Sequence, residues 1–364
     1  MNAVNTFLRN YSLRQGEIFR SPDEVARREL YNALHPTLVK VDACMDGRVN
    51  VPAMTDGEIP LGIVSPFRSM GGRFRIGSPN YAPYVRNFYD YTLKMMEKTS
   101  CPGGLVIVTY HYSAVDTHRG CAGFNSDTNA ARAYTAKLAQ DYNRVYGSLH
   151  NVEHVLQMGI ETDKEAFVFH GDIPGTTLDI SETLEWSTEK LRTGMRALYP
   201  EMPEAVFNDL MPFAIGNQRQ VRKMSASNHP PYDVNHAEQI IAVGRGFDWV
   251  HIINKAIIVG PFSVDWLREV TAAANIVLSN LKEGRVPQED GVVLLVCSPY
   301  RDCGVDAEVT AEKAREMARV SWRAVSEQVP ELLTYNLELV VGTLDSNTMQ
   351  MQYIEMSPEE LEIT

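Results

Sequence analysis

Apolar and polar positions alternate along this chain in blocks that spell out strands and helices. Leu105, Val106, Ile107 and Val108 form a short, β-branched, wholly apolar run, the composition of a strand buried on both faces. Comparable runs precede Cys44, span Ile240 to Val243, and span Val292 to Val296. Between them lie stretches with helical spacing. Over residues 21–34, Ser21 suits a cap, Pro22 the first turn and Glu24 the capping-box position. The pattern further predicts helices over 84–98, 128–146, 185–199, 204–213, 264–282 and 311–328. A strand pair is expected at 152–160 and 165–170, turning at Glu161-Thr162-Asp163-Lys164. Residues 225–234, with Pro230 and Pro231, read as an ordered loop or a domain junction.

The order strand, loop, helix, strand from residue 38 to 108 is that of a parallel crossover unit. The order returns after residue 240, where Gly246 and Asp248 stand as Cys44 and Asp46 do in the first run. The expectation is an α/β fold whose second half is a degenerate copy of the first. Its domains would be a helical lead-in at 1–35, a first α/β domain at 36–235 and the copy at 236–364.

Composition narrows the function. At 364 residues the chain is long enough for more than one core. The net charge of −12 argues against nucleic acid as the main partner, since phosphate neutralisation needs a basic face. No apolar stretch reaches the roughly 18 residues of a bilayer span. The amino terminus lacks the order of a secretory signal, so a cytoplasmic protein is expected. Cys44, Cys101, Cys121, Cys297 and Cys303 are few and widely spaced; in a reducing compartment they read as metal ligands or buried thiols.

Ligands of open α/β sheets collect beyond the carboxyl ends of the strands. Cys44 and His111 stand at two such ends, and Cys121 follows ten residues after His111. Two thiolates and one imidazole suit Zn2+, which is tetrahedral and leaves a fourth position for water. Bound water then loses a proton near neutral pH to give zinc hydroxide. Asp46 could accept a hydrogen bond from it, with Arg48 keeping Asp46 ionised and oriented. His118 competes with His111, because His118-Arg119-Gly120-Cys121 has a short His-X-X-Cys spacing. If not a ligand, His118 reads as a proton carrier or an exposed loop residue. Gly71 and Gly72 suggest a tight turn or close backbone approach.

Cys44-Met45-Asp46-Gly47-Arg48 resembles the metal-site pattern of β-class carbonic anhydrases. Together with Tyr110 to Asp116, Gly120-Cys121-Ala122, Ser126-Asp127, His236-Ala237-Glu238 and Val243-Gly244, it is similar to the divergent carboxysomal shell carbonic anhydrases. The resemblance implies a β-carbonic-anhydrase-like catalytic domain followed by a degenerate copy. It also implies zinc on Cys44, His111 and Cys121, a catalytic dyad of Asp46 and Arg48, and His236 near the active site. The implied reaction is hydration of CO2 to bicarbonate by a homo-oligomer of the carboxysome or cytoplasm, with carboxysome components as partners. Family members usually carry a longer amino-terminal extension than the roughly 40 residues before Cys44, which sets encapsulation apart from the chemistry. Hydrolysis of COS or CS2 at the same site, or a non-catalytic zinc-stabilised shell protein, are the alternative readings.

Overall fold

The computed structural model describes residues 1–64, 66–147, 152–226, 240–245, 256–260, 263 and 265–362. In chain order its larger elements are α1 (Ala3–Arg20), α2 (Pro22–Leu34), β1 (Leu38–Cys44), β2 (Phe67–Ser69), α3 (Ala82–Lys98), β3 (Gly104–Tyr112) and α4 (Thr128–Tyr142). There follow β4 (Glu153–Glu161), β5 (Ala166–His170), β6 (Thr177–Asp179), α5 (Thr188–Leu198) and α6 (Glu204–Ala226). The rest are β7 (Ile240–Arg245), β8 (Ala256–Val259), α7 (Trp266–Lys282), β9 (Val292–Tyr300), α8 (Val305–Gln328), β10 (Leu337–Asp345), β11 (Gln350–Ile354) and α9 (Pro358–Glu362).

The chain divides into two compact units. One comprises residues 26–44 and 49–233, the other residues 1–25, 45–48 and 234–364. The first is built on strands in the order β2-β1-β3-β4-β5-β6. β1 pairs in parallel with β2 and β3, and β3 with β4; β5 pairs antiparallel with both β4 and β6. Val106, Ile107 and Val108 of β3 are fully buried, as a central parallel strand requires. Asp209 of α6 accepts hydrogen bonds from the Thr37 amide (2.8 Å) and hydroxyl, which fixes the entry to β1.

The second unit carries the order β7-β8-β9-β10-β11, parallel up to β10, with β11 antiparallel. Helix α7 lies between β8 and β9 in sequence and α8 between β9 and β10, as α3 and α4 do around β3. Both units therefore share a run of helix, strand, helix, strand and antiparallel partner. They differ at the start: β1 neighbours β3, whereas β8, not β7, neighbours β9.

Three expected elements need adjustment. Helix α6 does not stop at residue 213 but continues through Pro212 to Ala226. Buried amides secure the extension: Asn217 donates to the Met54 and Glu165 carbonyls (2.9 and 2.7 Å), and Gln218 to that of Thr183 (2.6 Å). Residues 225 and 226 thus belong to a helix, and 227–239 lie outside the described residues. Helix α4 ends at Tyr142 and passes into a π-helical turn, Asn143–Gly147. Within the helical lead-in expected at 1–35, helix α1 occupies residues for which no separate helix was predicted. It packs on its own unit through Val4, Asn5, Leu8, Ser12, Gly16 and Phe19, a stripe half made of small or polar residues. Its Asn2 cap accepts from the Asn5 amide (2.9 Å) and donates to the carbonyls of Val292 (3.0 Å) and Asn336 (2.8 Å).

Candidate metal centre

Parallel pairing of β1 with β3 brings the carboxyl ends of both strands to one edge of the sheet. Cys44 is the last residue of β1, and His111 the last but one of β3. Cys121 opens the 3-10 turn Ala122–Phe124, and its carbonyl accepts the amides of Phe124 (2.9 Å) and Ser126 (3.0 Å). Asp127 then caps α4 through the Ala130 amide (2.9 Å). The ligand atoms of Cys44, His111 and Cys121 all lie within 4.8 Å of one another, and all three residues are buried.

The two sulfurs are 3.8 Å apart, and both cysteines are free. Two zinc–sulfur bonds of about 2.3 Å at a tetrahedral angle would separate their sulfurs by about 3.8 Å. The donor set and its spacing therefore fit a zinc ion. The Cys44 thiol faces the Cys121 thiol in a buried site, and this contact followed by burial pushes it well above the usual thiol range; His111 pulls the other way.

Glycines make the approach of the Cys121 turn possible. Gly71 and Gly72 have positive φ (68° and 62°) in the turn after β2. A Cβ on Gly123 would lie 2.6 Å from the Gly71 Cα, so only a bare backbone fits. Arg68 donates to the Cys44 carbonyl (3.2 Å) and holds the end of β1.

The carboxylate and guanidinium that follow Cys44 also meet. Arg48 Nε lies 3.1 and 3.0 Å from the two Asp46 oxygens and Nη2 lies 2.6 Å from Oδ2. The Arg48 amide adds a bond of 2.9 Å, and both side chains are buried. His118 lies exposed in the turn Thr117–Arg119, and the buried group able to hold a metal contains His111 and not His118. His236 lies outside the described residues, as do Gly246 and Asp248. Cys101 and Cys297 are buried free thiols and Cys303 is an exposed one.

Two further polar clusters have no counterpart in the sequence expectations. Lys40 Nζ donates to Asp42 (2.8 Å) and Tyr81 (2.7 Å) and also meets the Tyr142 hydroxyl, which itself donates to Asp42 (2.8 Å). The signal was Lys40, Asp42 and Cys44 at every second position of an otherwise apolar strand. Burial with the nearby Asp42 holds the Tyr81 and Tyr142 phenols well above their ordinary range. Glu153 of β4, also buried, is raised to about 7 by burial; Lys40 lowers it and Asp42 raises it further. The second cluster, Glu161 with Asp163, sits at the last residue of β4 and in the turn that follows it.

The fold and centre define a parallel α/β protein with a buried Cys-His-Cys group able to hold a metal. Residues 31–202 match the family model described as Carboxysome Shell Carbonic Anhydrase, catalytic domain. Over that segment the chain is similar to the carboxysome shell carbonic anhydrases. Curated relatives of that name include one from Prochlorococcus marinus strain MIT 9313, 27% identical over 244 residues, covering 60% of this chain and 46% of the relative. One from Hydrogenovibrio crunogenus is 26% identical over 209 residues, covering 50% and 36% respectively. One from Prochlorococcus marinus subsp. pastoris is 30% identical over 171 residues, covering 41% and 33%. The matches span less than half the length of each of these relatives.

Proposed function

We propose that the chain catalyses the reversible hydration of CO2 to bicarbonate with zinc held by Cys44, His111 and Cys121. The observation that carries this is the convergence of two thiols and one imidazole within 4.8 Å, at the spacing a tetrahedral zinc requires. Zinc, when bound, makes water a competent nucleophile at neutral pH. The protein's own part is to orient that water and take up charge. Asp46, two residues beyond Cys44, accepts a hydrogen bond from the attacking water and directs its lone pair at the carbon. Arg48 keeps Asp46 ionised and fixed through its forked contacts. Attack forms the new C–O bond, bicarbonate departs, and one proton passes to buffer. His118, exposed in the loop between two ligands, is suited to carry it, and His236 belongs near the site on the family's pattern.

Residues 36–235 form the catalytic domain on this reading, and residues 236–364 a degenerate copy that follows a lead-in at 1–35. The shared run of helix, strand, helix, strand and antiparallel partner supports the copy, with the exchange of β7 and β8 as its divergence. The relatives' names support association with carboxysome components; residence in the carboxysome or the cytoplasm and assembly as a homo-oligomer belong to the same proposal. Metal analysis combined with stopped-flow CO2 hydration tests the activity. Wild type should carry about one zinc per chain and hydrate CO2, and Cys44→Ala should lose both. Hydration undiminished in Cys44→Ala would overturn the proposal.

A further inference from the structure

Nine residues lie between His111 and Cys121, and most of them are loop. Such a loop holds a ligand in place only if something fixes it. In this structure the fixing groups are two buried carboxyl side chains, one from the last residue of β4 and one from the turn that follows it. Asp163 Oδ2 accepts from the Ser113 hydroxyl (2.7 Å) and the Val115 amide (3.0 Å). Glu161 Oε1 accepts from the Ala114 amide (3.0 Å). Three consecutive residues beyond β3 are thus hung from one turn. The turn is itself braced, because Glu161 also accepts the amides of Asp163 (3.1 Å) and Lys164 (2.8 Å). Thr162 returns to the Tyr112 carbonyl at the end of β3 (2.9 Å from its amide).

From Asp163 the bonds continue down the loop. The Ser113 oxygen accepts the Asp116 amide (3.0 Å), and Asp116 accepts the His118 amide (3.0 Å). The His118 carbonyl accepts the Ser126 hydroxyl (3.2 Å), and the Ser126 amide donates to the Cys121 carbonyl (3.0 Å). A hydrogen-bonded chain therefore joins the β4–β5 turn to the turn that carries Cys121. Two buried carboxylates side by side repel, so they are held at a cost unless they share a proton. Burial raises the Glu161 carboxyl above its usual range against the pull of the Ala114 amide, the neighbouring Asp163 raises it further, and Asp163 itself is lowered, which favours the proton on Glu161.

We propose that Glu161 and Asp163 are positioning residues of the metal centre, fixing the loop between His111 and Cys121 so that the Cys121 thiolate meets its partners. The proposal rests on the zinc reading above. Outer groups that orient metal ligands typically account for about 10–100-fold in affinity.

Titration of the metal-free full chain with Co2+, followed by its visible and thiolate charge-transfer absorption, tests it without reference to activity. Wild type should give the intense spectrum of a tetrahedral dithiolate site. Asp163→Asn should bind about 10-fold or more weakly and with an altered band pattern. Glu161→Gln, which keeps a hydrogen for Asp163, should lie nearer wild type than Glu161→Ala. Should Asp163→Asn fail to fold, Ser113→Ala, which removes a single bond of the chain, takes its place with a smaller loss in the same direction. Wild-type binding with unchanged affinity and spectrum in these variants, whatever their melting temperature, overturns the positioning role alone. Failure of wild type to bind Co2+ overturns the zinc reading, and the positioning role with it.

Discussion

If Cys44, His111 and Cys121 hold a metal as proposed, they are committed to it, and the acid–base work falls to their neighbours. Asp46 is the group placed for it in sequence, and its bidentate pairing with Arg48 gives it a single orientation. Asp46→Asn should keep its zinc by metal analysis while kcat for CO2 hydration drops about 100-fold or more. Arg48→Lys should fall between, since an ammonium offers no fork. Glu153 makes a different prediction. Its carboxyl, ordinarily near 4.5, sits near 7 in the folded protein because burial disfavours the charge. The folded state therefore holds a proton that the unfolded chain has released, and stability falls as pH rises from about 4.5 through 7. Glu153→Gln removes that dependence. Urea denaturation should show the variant gaining on wild type between pH 5 and pH 8, by up to about 3 kcal/mol.

At the scale of elements, the centre depends on how closely the turn after β2 and the turn of Cys121 approach. Gly123→Ala would set a methyl 2.6 Å from the Gly71 backbone, which has no flexible end to yield. A loss of about 1–3 kcal/mol in thermal unfolding is expected, together with weaker zinc retention against a chelator. The elements that present ligands were the ones most legible in sequence. Val106 to Val108 is apolar because β3 is flanked on both sides, and Cys44 and His111 end their strands where the runs stop. Less legible were elements stabilised from outside their own sequence. Gly16 breaks the apolar stripe of α1 because a small residue is needed there; a Cβ on it would come within 2.9 Å of the Met349 carbonyl. The far half of α6 is held by Asn217 and Gln218, whose partners lie 35 to 163 residues away. Glu161 and Asp163 looked like ordinary turn residues, since nothing local shows that a turn carboxylate will be buried against a loop 50 residues earlier.

At the scale of the whole molecule, the chain's ends meet in one unit, with α1 counted among residues 234–364. Asn2 joins them by capping α1 and donating to the carbonyls of Val292 and Asn336. Asn2→Ala should therefore lower stability by about 2 kcal/mol in urea denaturation, more than a cap alone. Among the described residues no helix is long and apolar enough to cross a membrane. The Lys40, Asp42, Tyr81 and Tyr142 cluster acts on the first unit as a whole, since it ties β1 to the approach of α3 and the end of α4. Sliding β1 by one residue against β3 would turn an ammonium and a carboxylate toward aliphatic neighbours and strip both of every partner. Charge thus serves as a key cut into the strand. The lock accepts one alignment, and Cys44 at the strand's tip inherits an address that greasy packing alone would leave ambiguous.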